Sequence, residues 1–170
     1  MLSDETLILE FQRGSRDAFE ELFARYREPV HGFFRRRLPD RGRADDLTQE
    51  TFLAVIRNSH RYEPRSPVRA YLFGIAFKLV AAERRSMARQ APAPADPPEP
   101  AAHGAPDASL WVRQAIARLD PSEREVLMLR EYEQLSYAEI ADLLRIPLNT
   151  VRTRLFRARL ALKEHLDATR

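Results

Sequence analysis

The chain has 170 residues, of which 44% are apolar and 31% charged, with a net charge of +3 and no cysteine. That suits one ordinary globular domain or two small ones, and it excludes disulfides, zinc–thiolate centres and cysteine nucleophiles. No apolar run approaches the ~20 residues of a membrane span, Met1 to Glu10 lacks the basic segment of a signal peptide, and the few glycines form no phosphate-cradling loop.

Taken in chain order, Leu7, Ile8 and Phe11 share one face of a short first helix that Gly14 stops. Ser15 reads as the N-cap of the next helix, with Asp17 in its first turn. Phe19, Leu22, Phe23 and Tyr26 follow at helical spacing; Pro29 predicts a break or kink, after which Val30, Phe33, Phe34 and Leu38 resume the pattern. A third helix is expected to start at Asp45 and Asp46, with Leu47, Thr51, Ala54 and Val55 on one stripe and Phe52 and Ile56 beside it. Pro64 and Pro67 bracket a loop, and a long helix from about Val68 to Met87 turns Leu72, Ile75, Ala76, Leu79 and Val80 inward.

From Gln90 to Ala108 the composition changes: six of 19 residues are proline, seven are alanine and none is lysine or arginine. Such a segment neither buries a core nor sustains a helix, so it reads as an extended, partly stiff linker with a reach of ~60 Å in polyproline form. Residues 1–89 hold 17 basic and 13 acidic side chains, residues 109–170 hold 11 and 9, and the linker holds three acids.

Beyond the linker, Leu110 to Leu119 reads as one helix. Asp120-Pro121-Ser122 is a stop and restart, with Ser122 and Glu125 spaced as a capping box before a helix over Glu123–Arg130. Ser136 and Glu139 repeat that spacing ahead of Tyr137–Leu144, Ile146-Pro147 makes a turn, and a last helix runs from about Leu148 to Leu166. Strand alternation and hairpin signals are missing, so the fold class is all-α: two small helical domains joined by a Pro/Ala-rich linker.

Three stretches carry chemistry. Ser136 to Leu160 has the two-helix pattern that lays a second helix in a DNA groove. Ile140, Leu143 and Leu144, with Val151, Leu155, Ala158 and Leu162, are its expected inner faces. Outside stand Arg152, Arg154, Arg157, Arg159 and Lys163, a face of one sign that repels itself unless a polyanion is present. Arg152, Thr153 and Arg157 are the candidates for base edges, and Arg154, Arg159 and Lys163 for phosphate or local pairing. Asp45, Asp46, Gln49 and Glu50 line one edge of the third helix, as a helix start that favours acids, a docking face for a basic partner helix, or a metal site; no histidine accompanies them. Residues 57–89 interleave bases with aromatics (among them Tyr62, Arg65, Arg69, Tyr71, Phe73, Phe77 and Lys78), a mixture that suits single-stranded nucleic acid, although each ring also suits the core.

Together the two domains resemble the sigma-70 family of bacterial RNA polymerase initiation factors, and specifically its smallest members, the extracytoplasmic function group. AFEELFARYREPV (Ala18–Val30), DDLTQETFLAVI (Asp45–Ile56) and RAYLFGIA (Arg69–Ala76) are similar to family region 2. LDPSEREVLMLREYEQLSYAEIADLL followed by IPLNTVRTRLFRARLALKEHL is similar to region 4. The resemblance implies a region 2 domain over 1–89, a linker over 90–108 and a region 4 domain over 109–170. It implies that Asp45, Asp46, Leu47, Gln49, Glu50 and Phe52 dock on core RNA polymerase, and that Tyr62, Arg65, Arg69, Tyr71 and Lys78 take the single-stranded −10 element. Thr150, Arg152, Thr153, Arg154 and Arg157 would read the duplex −35 element. Flipping bases costs a few kcal/mol, and pockets for extruded bases would offset it without ATP.

The implied protein is cytoplasmic, has no metal, cofactor or catalytic activity of its own, and meets core polymerase, promoter DNA and an anti-sigma factor. Since the chain stops at Arg170, no appended regulatory domain is expected. Lys78 stands where the family usually has asparagine, Tyr71 where tryptophan is frequent, and Arg145 and Asn149 where glycine is common in the turn. Two other classes fit parts of the chain: a free-standing helix-turn-helix repressor or activator, and a magnesium enzyme built on Asp45, Asp46 and Glu50.

Overall fold

A computed structural model describes residues 1–90 and 108–168, and it divides into two compact units, one within Met1–Pro94 and one within Ala95–Arg170. The proposed linker falls almost wholly outside the described residues. Eight α-helices and no strand occur among the described residues.

The first unit holds α1 (Asp4–Gln12), α2 (Arg16–Arg37), α3 (Arg41–Asn58), a single 3-10 turn over Ser59–Arg61, and α4 (Val68–Gln90). α1 starts where Ser3 Oγ accepts from Thr6 N at 3.1 Å, and α2 where Ser15 Oγ accepts from Ala18 N at 3.3 Å. Between them Gly14 takes a φ of +98°, a conformation that favours glycine. α2 packs on α1, α3 and α4. Its apolar positions Leu22, Tyr26, Val30, Phe33 and Phe34 are buried, as are Leu47 and Val55 of α3 and Leu72, Phe73, Ala76 and Val80 of α4. Full burial of such a side chain contributes ~1.5–3 kcal/mol, so truncating Phe34 to alanine removes ~3–5 kcal/mol and is a change this unit would not survive easily.

Two boundaries differ from expectation. α2 runs unbroken through Pro29. The one backbone bond lost there is offset by the buried residues Tyr26, Val30 and Phe33 on either side. α3 begins at Arg41 rather than at Asp45, because Asp40 caps it: its Oδ1 accepts from Gly42 N at 2.8 Å and from Arg43 N at 3.3 Å. Asp45 and Asp46 therefore stand inside the helix, not at its start.

The second unit holds α5 (Ala108–Ala117), α6 (Pro121–Glu131), α7 (Tyr137–Leu144) and α8 (Leu148–Asp167), with α8 packed on the other three. Asp120, not Ser122, caps α6; Pro121 occupies the first turn, and Asp120 Oδ1 accepts from both the amide and the hydroxyl of Ser122. These bonds, Ser122's first, hold the Asp120 carboxyl below its ordinary pKa. Ser136 Oγ accepts from Glu139 N at 3.1 Å and starts α7. Val126, Leu127, Leu129, Leu135, Ile140, Val151, Leu155 and Ala158 form the core, while Leu143, Leu144 and Leu162 are half-buried.

Candidate nucleic-acid and partner interfaces

The α7–α8 pair is joined by Arg145, Ile146 and Pro147. Arg145 takes a left-handed conformation, φ 55° and ψ 48°, and closes α7 through its amide on the Ala141 carbonyl. Asn149, by contrast, is already inside α8. A second left-handed residue, Gln134 at φ 57°, lies before α7 and was not foreseen.

On α8, Val151, Leu155 and Ala158 point inward, which turns Arg152, Thr153 and Arg157 to solvent. Thr150 and Arg154 are half-buried. The Arg154 charge adds a small lowering of the Asp120 pKa to that of the Ser122 bonds. Arg159 pairs with Glu131 at 3.0 Å, as a local partner. Asn149 organises the first turn: its side chain accepts from Arg152 Nη1 at 3.3 Å and its carbonyl from Thr153 Oγ1 at 2.9 Å. The sequence reading missed Phe156. At 68% exposure it stands three residues after Thr153 on the same outward face, with Leu160 one turn further on. The missing signal was its position in the 3.6-residue repeat, which sets it opposite Leu155 and Ala158.

On α3, Asp45, Asp46, Gln49 and Glu50 are exposed together. The structure buries Leu47 to 1% and Phe52 to 4%, and it sets the Phe52 ring 4.8 Å from Phe23; both belong to the core rather than to the surface. Their place outside is taken by Leu53 and Ile56, 50% and 45% exposed, which extend the Gln49–Glu50 edge by one and two turns. The face is therefore apolar at one end and acidic at the other. Asp45 Oδ1 lies 2.6 Å from His31 Nε2 of α2, beside a groove of about 450 Å³ lined by Phe23, Arg27, His31, Asp45 and Gln49. Arg43 fixes α3 to α4 through Glu83 at 2.8 Å. No group of three or more His, Cys, Asp or Glu residues arranged to hold a metal occurs among the described residues.

Between the 3-10 turn and α4, residues 62–67 form a loop. Tyr62 is buried, and its hydroxyl donates to the Ser66 carbonyl at 2.5 Å. The Tyr71 ring lies 5.1 Å from it, and the Tyr71 hydroxyl is buried without a hydrogen-bond partner. Burial raises the pKa of both phenols. Arg69 places its guanidinium 5.3 Å over the Tyr26 ring and 6.0 Å from that of Phe73. Arg65 and Lys78 are exposed. The five positions thus divide into a floor of buried Tyr62 and half-buried Tyr71, a half-buried Arg69, and two outward cations.

The fold and these surfaces define a two-unit helical protein with a helix-turn-helix at its C-terminal end. Two sigma-70 family models match it, region 2 over residues 22–90 and region 4 over residues 109–162. The chain is 35% identical to the RNA polymerase sigma factor CarQ of Myxococcus xanthus over 92% of its own length and 93% of CarQ. It is 36% identical to the ECF RNA polymerase sigma factor SigC of Mycobacterium tuberculosis, over 92% of this chain and 87% of that protein. The solved structure of CnrH in complex with the cytosolic domain of CnrY matches with a TM-score of 0.70 and 27% identity, covering 97% of both chains. The chain belongs to the sigma-70 family, in its extracytoplasmic function group. No described helix is long and apolar enough to cross a membrane.

Proposed function

We propose that this protein binds core RNA polymerase in the cytoplasm, directs it to promoters by reading a −35 and a −10 element, and assists their opening without catalytic activity of its own. The observation that carries the reading is the pairing, in one chain, of a single-signed outward face on α8 with a second, chemically different face on α3. Arg152, Thr153 and Arg157 are turned to solvent on a helix held at its start by a helix-turn-helix. That arrangement suits base edges in a duplex major groove, where one bidentate arginine–guanine pair discriminates by ~1–3 kcal/mol. Phe156 adds an apolar contact of the kind that thymine methyl groups offer.

Asp45, Asp46, Gln49 and Glu50 with Leu53 and Ile56 suit a partner helix that presents bases beside an apolar stripe. Core polymerase is that partner in this reading. The loop 62–67, with Arg65 and Arg69 beside the Tyr62–Tyr71 floor and Lys78 on α4, suits unstacked bases of the −10 strand. CnrH was solved with a protein partner. By that likeness this protein also meets a protein partner, an anti-sigma factor in this reading.

Transcription from a supercoiled pool of the host's promoters, using core polymerase with and without the protein, tests this function. New starts that share two upstream elements are expected only when both components are present. Tight duplex binding by the chain alone, with no new starts, would favour a free-standing repressor instead.

A further inference from the structure

The loop proposed to take the −10 bases is not held by its own helices alone. Gln12, the last residue of α1, donates from Nε2 to the Ser59 carbonyl at 2.6 Å and to the Tyr62 carbonyl at 2.9 Å. These two carbonyls mark the point where α3 gives way to the loop. At the other end, α4 starts after Pro67, which has no side-chain oxygen to cap it; the Tyr71 amide closes the first turn on the Pro67 carbonyl at 3.1 Å. Glu5 of α1 supplies the missing cap, because its Oε1 accepts from Val68 N at 3.2 Å. A carboxylate at a helix N-terminus is also favoured by the helix dipole. Asp4 provides a third link. It accepts from Arg25 at 2.8 Å and from the Tyr26 hydroxyl, and the face of that Tyr26 ring lies beneath the Arg69 guanidinium.

We infer that α1 is a brace for the −10 loop: Gln12 and Glu5 are positioning residues that hold residues 59–68 in the geometry that receives unstacked bases. The inference rests on the proposed −10 role of that loop. A segment of ten residues with prolines at 64 and 67 has its two ends fixed by one short helix some fifty residues earlier in the chain. Between those ends Glu63, Pro64 and Arg65 are exposed, and Ser66 is tied through its carbonyl to the Tyr62 hydroxyl. Pre-set ends reduce the ordering that base capture would otherwise require, which is how positioning groups raise affinity without touching the ligand. Helix packing alone does not call for these bonds. Leu7 and Ile8 already seat α1 in the core, whereas Glu5 and Gln12 spend their polar groups on backbone atoms of the loop ends.

The test uses holoenzyme assembled from full-length protein and core polymerase, with a fluorescent single-stranded −10 oligonucleotide and permanganate mapping of thymines in the duplex promoter. Gln12→Ala and Glu5→Ala are each expected to weaken oligonucleotide binding ~3-fold, and the double variant ~10-fold, the scale of lost hydrogen bonds. The opened fraction should fall in parallel, while core affinity and binding to a −35 duplex stay at the parent level. Glu5→Gln keeps an acceptor for the Val68 amide and should restore binding. Parent-level oligonucleotide binding by the double variant would overturn the brace. So would an equal loss in core affinity, or a Glu5→Gln protein as weak as Glu5→Ala. Arg65→Ala separates the two layers. If that change and a substituted −10 base both leave oligonucleotide binding unaltered, the −10 reading itself fails; if they weaken it and the α1 variants do not, only the brace fails.

Discussion

Among the described residues the two units are both bundles of four α-helices, and they are packed with different side chains. Eight of the nine phenylalanines lie in residues 1–90. There they pack ring on ring: Phe11 with Phe19 at 4.9 Å, Phe23 with Phe52 at 4.8 Å, and Phe33 with Phe73 at 5.7 Å. The core of the second unit is aliphatic, and the ninth phenylalanine, Phe156, is the most exposed large apolar residue of that unit. In the first unit an aromatic residue near the site is therefore more often floor than contact, as Phe52 and Tyr62 are. In the second, the single phenylalanine is surface. The same residue type carries opposite meaning in the two halves, and only burial distinguishes them.

This contrast can be broken or sharpened by substitution. The largest effect is expected at the α3 face, where Asp46→Arg with Glu50→Arg sets like charges against a basic partner. Affinity for core polymerase, measured by fluorescence anisotropy, should fall on the order of a hundredfold, since such juxtaposition costs several kcal/mol. Parent affinity would remove the docking assignment. Next comes Arg157→Ala, which should reduce discrimination between −35 variants by ~1–3 kcal/mol in competition binding and leave core affinity unchanged. Phe156→Ala is a smaller version of the same change, roughly fourfold, the worth of about one buried methyl, and it should be confined to positions that carry thymine. The smallest effect is a gain. Arg145→Gly relieves a left-handed residue and should stabilise the second unit by ~1 kcal/mol, read as a rise of several degrees in its thermal midpoint. A fall instead would mean that the Arg145 side chain makes contacts worth more than its backbone strain.

The second unit was the more legible from sequence, for a physical reason. Its site lies on one continuous helix, so the 3.6-residue repeat that identifies Val151, Leu155 and Ala158 as core also turns Arg152, Thr153 and Arg157 outward. Even there Phe156 was missed, although the same inner stripe places it on the outward face, because the reading followed the charged residues alone. In the first unit the repeat set Leu47 on the inner stripe with Phe52 beside it, where the structure buries both; it was the family resemblance that made them docking positions, and a motif position is not a surface position when α2 and α4 both pack on α3. The start of α3 at Arg41 was hidden because Gly42 masks a helix that Asp40 caps. The bonds of Gln12 and Glu5 lie beyond any local pattern: they join positions 47, 50 and 63 residues apart, and periodicity carries no information over such distances.

The central claim is that one unit reads the −35 duplex and the other takes the −10 strand. Its most direct test is a two-by-two measurement of transcription, with Arg157→Ala and Arg65→Ala proteins each assayed on promoters altered at −35 or at −10. The account predicts that the Arg157→Ala protein becomes indifferent to the −35 change and keeps its response to the −10 change, and that the Arg65→Ala protein does the reverse. Both proteins losing activity equally on both promoters would contradict it.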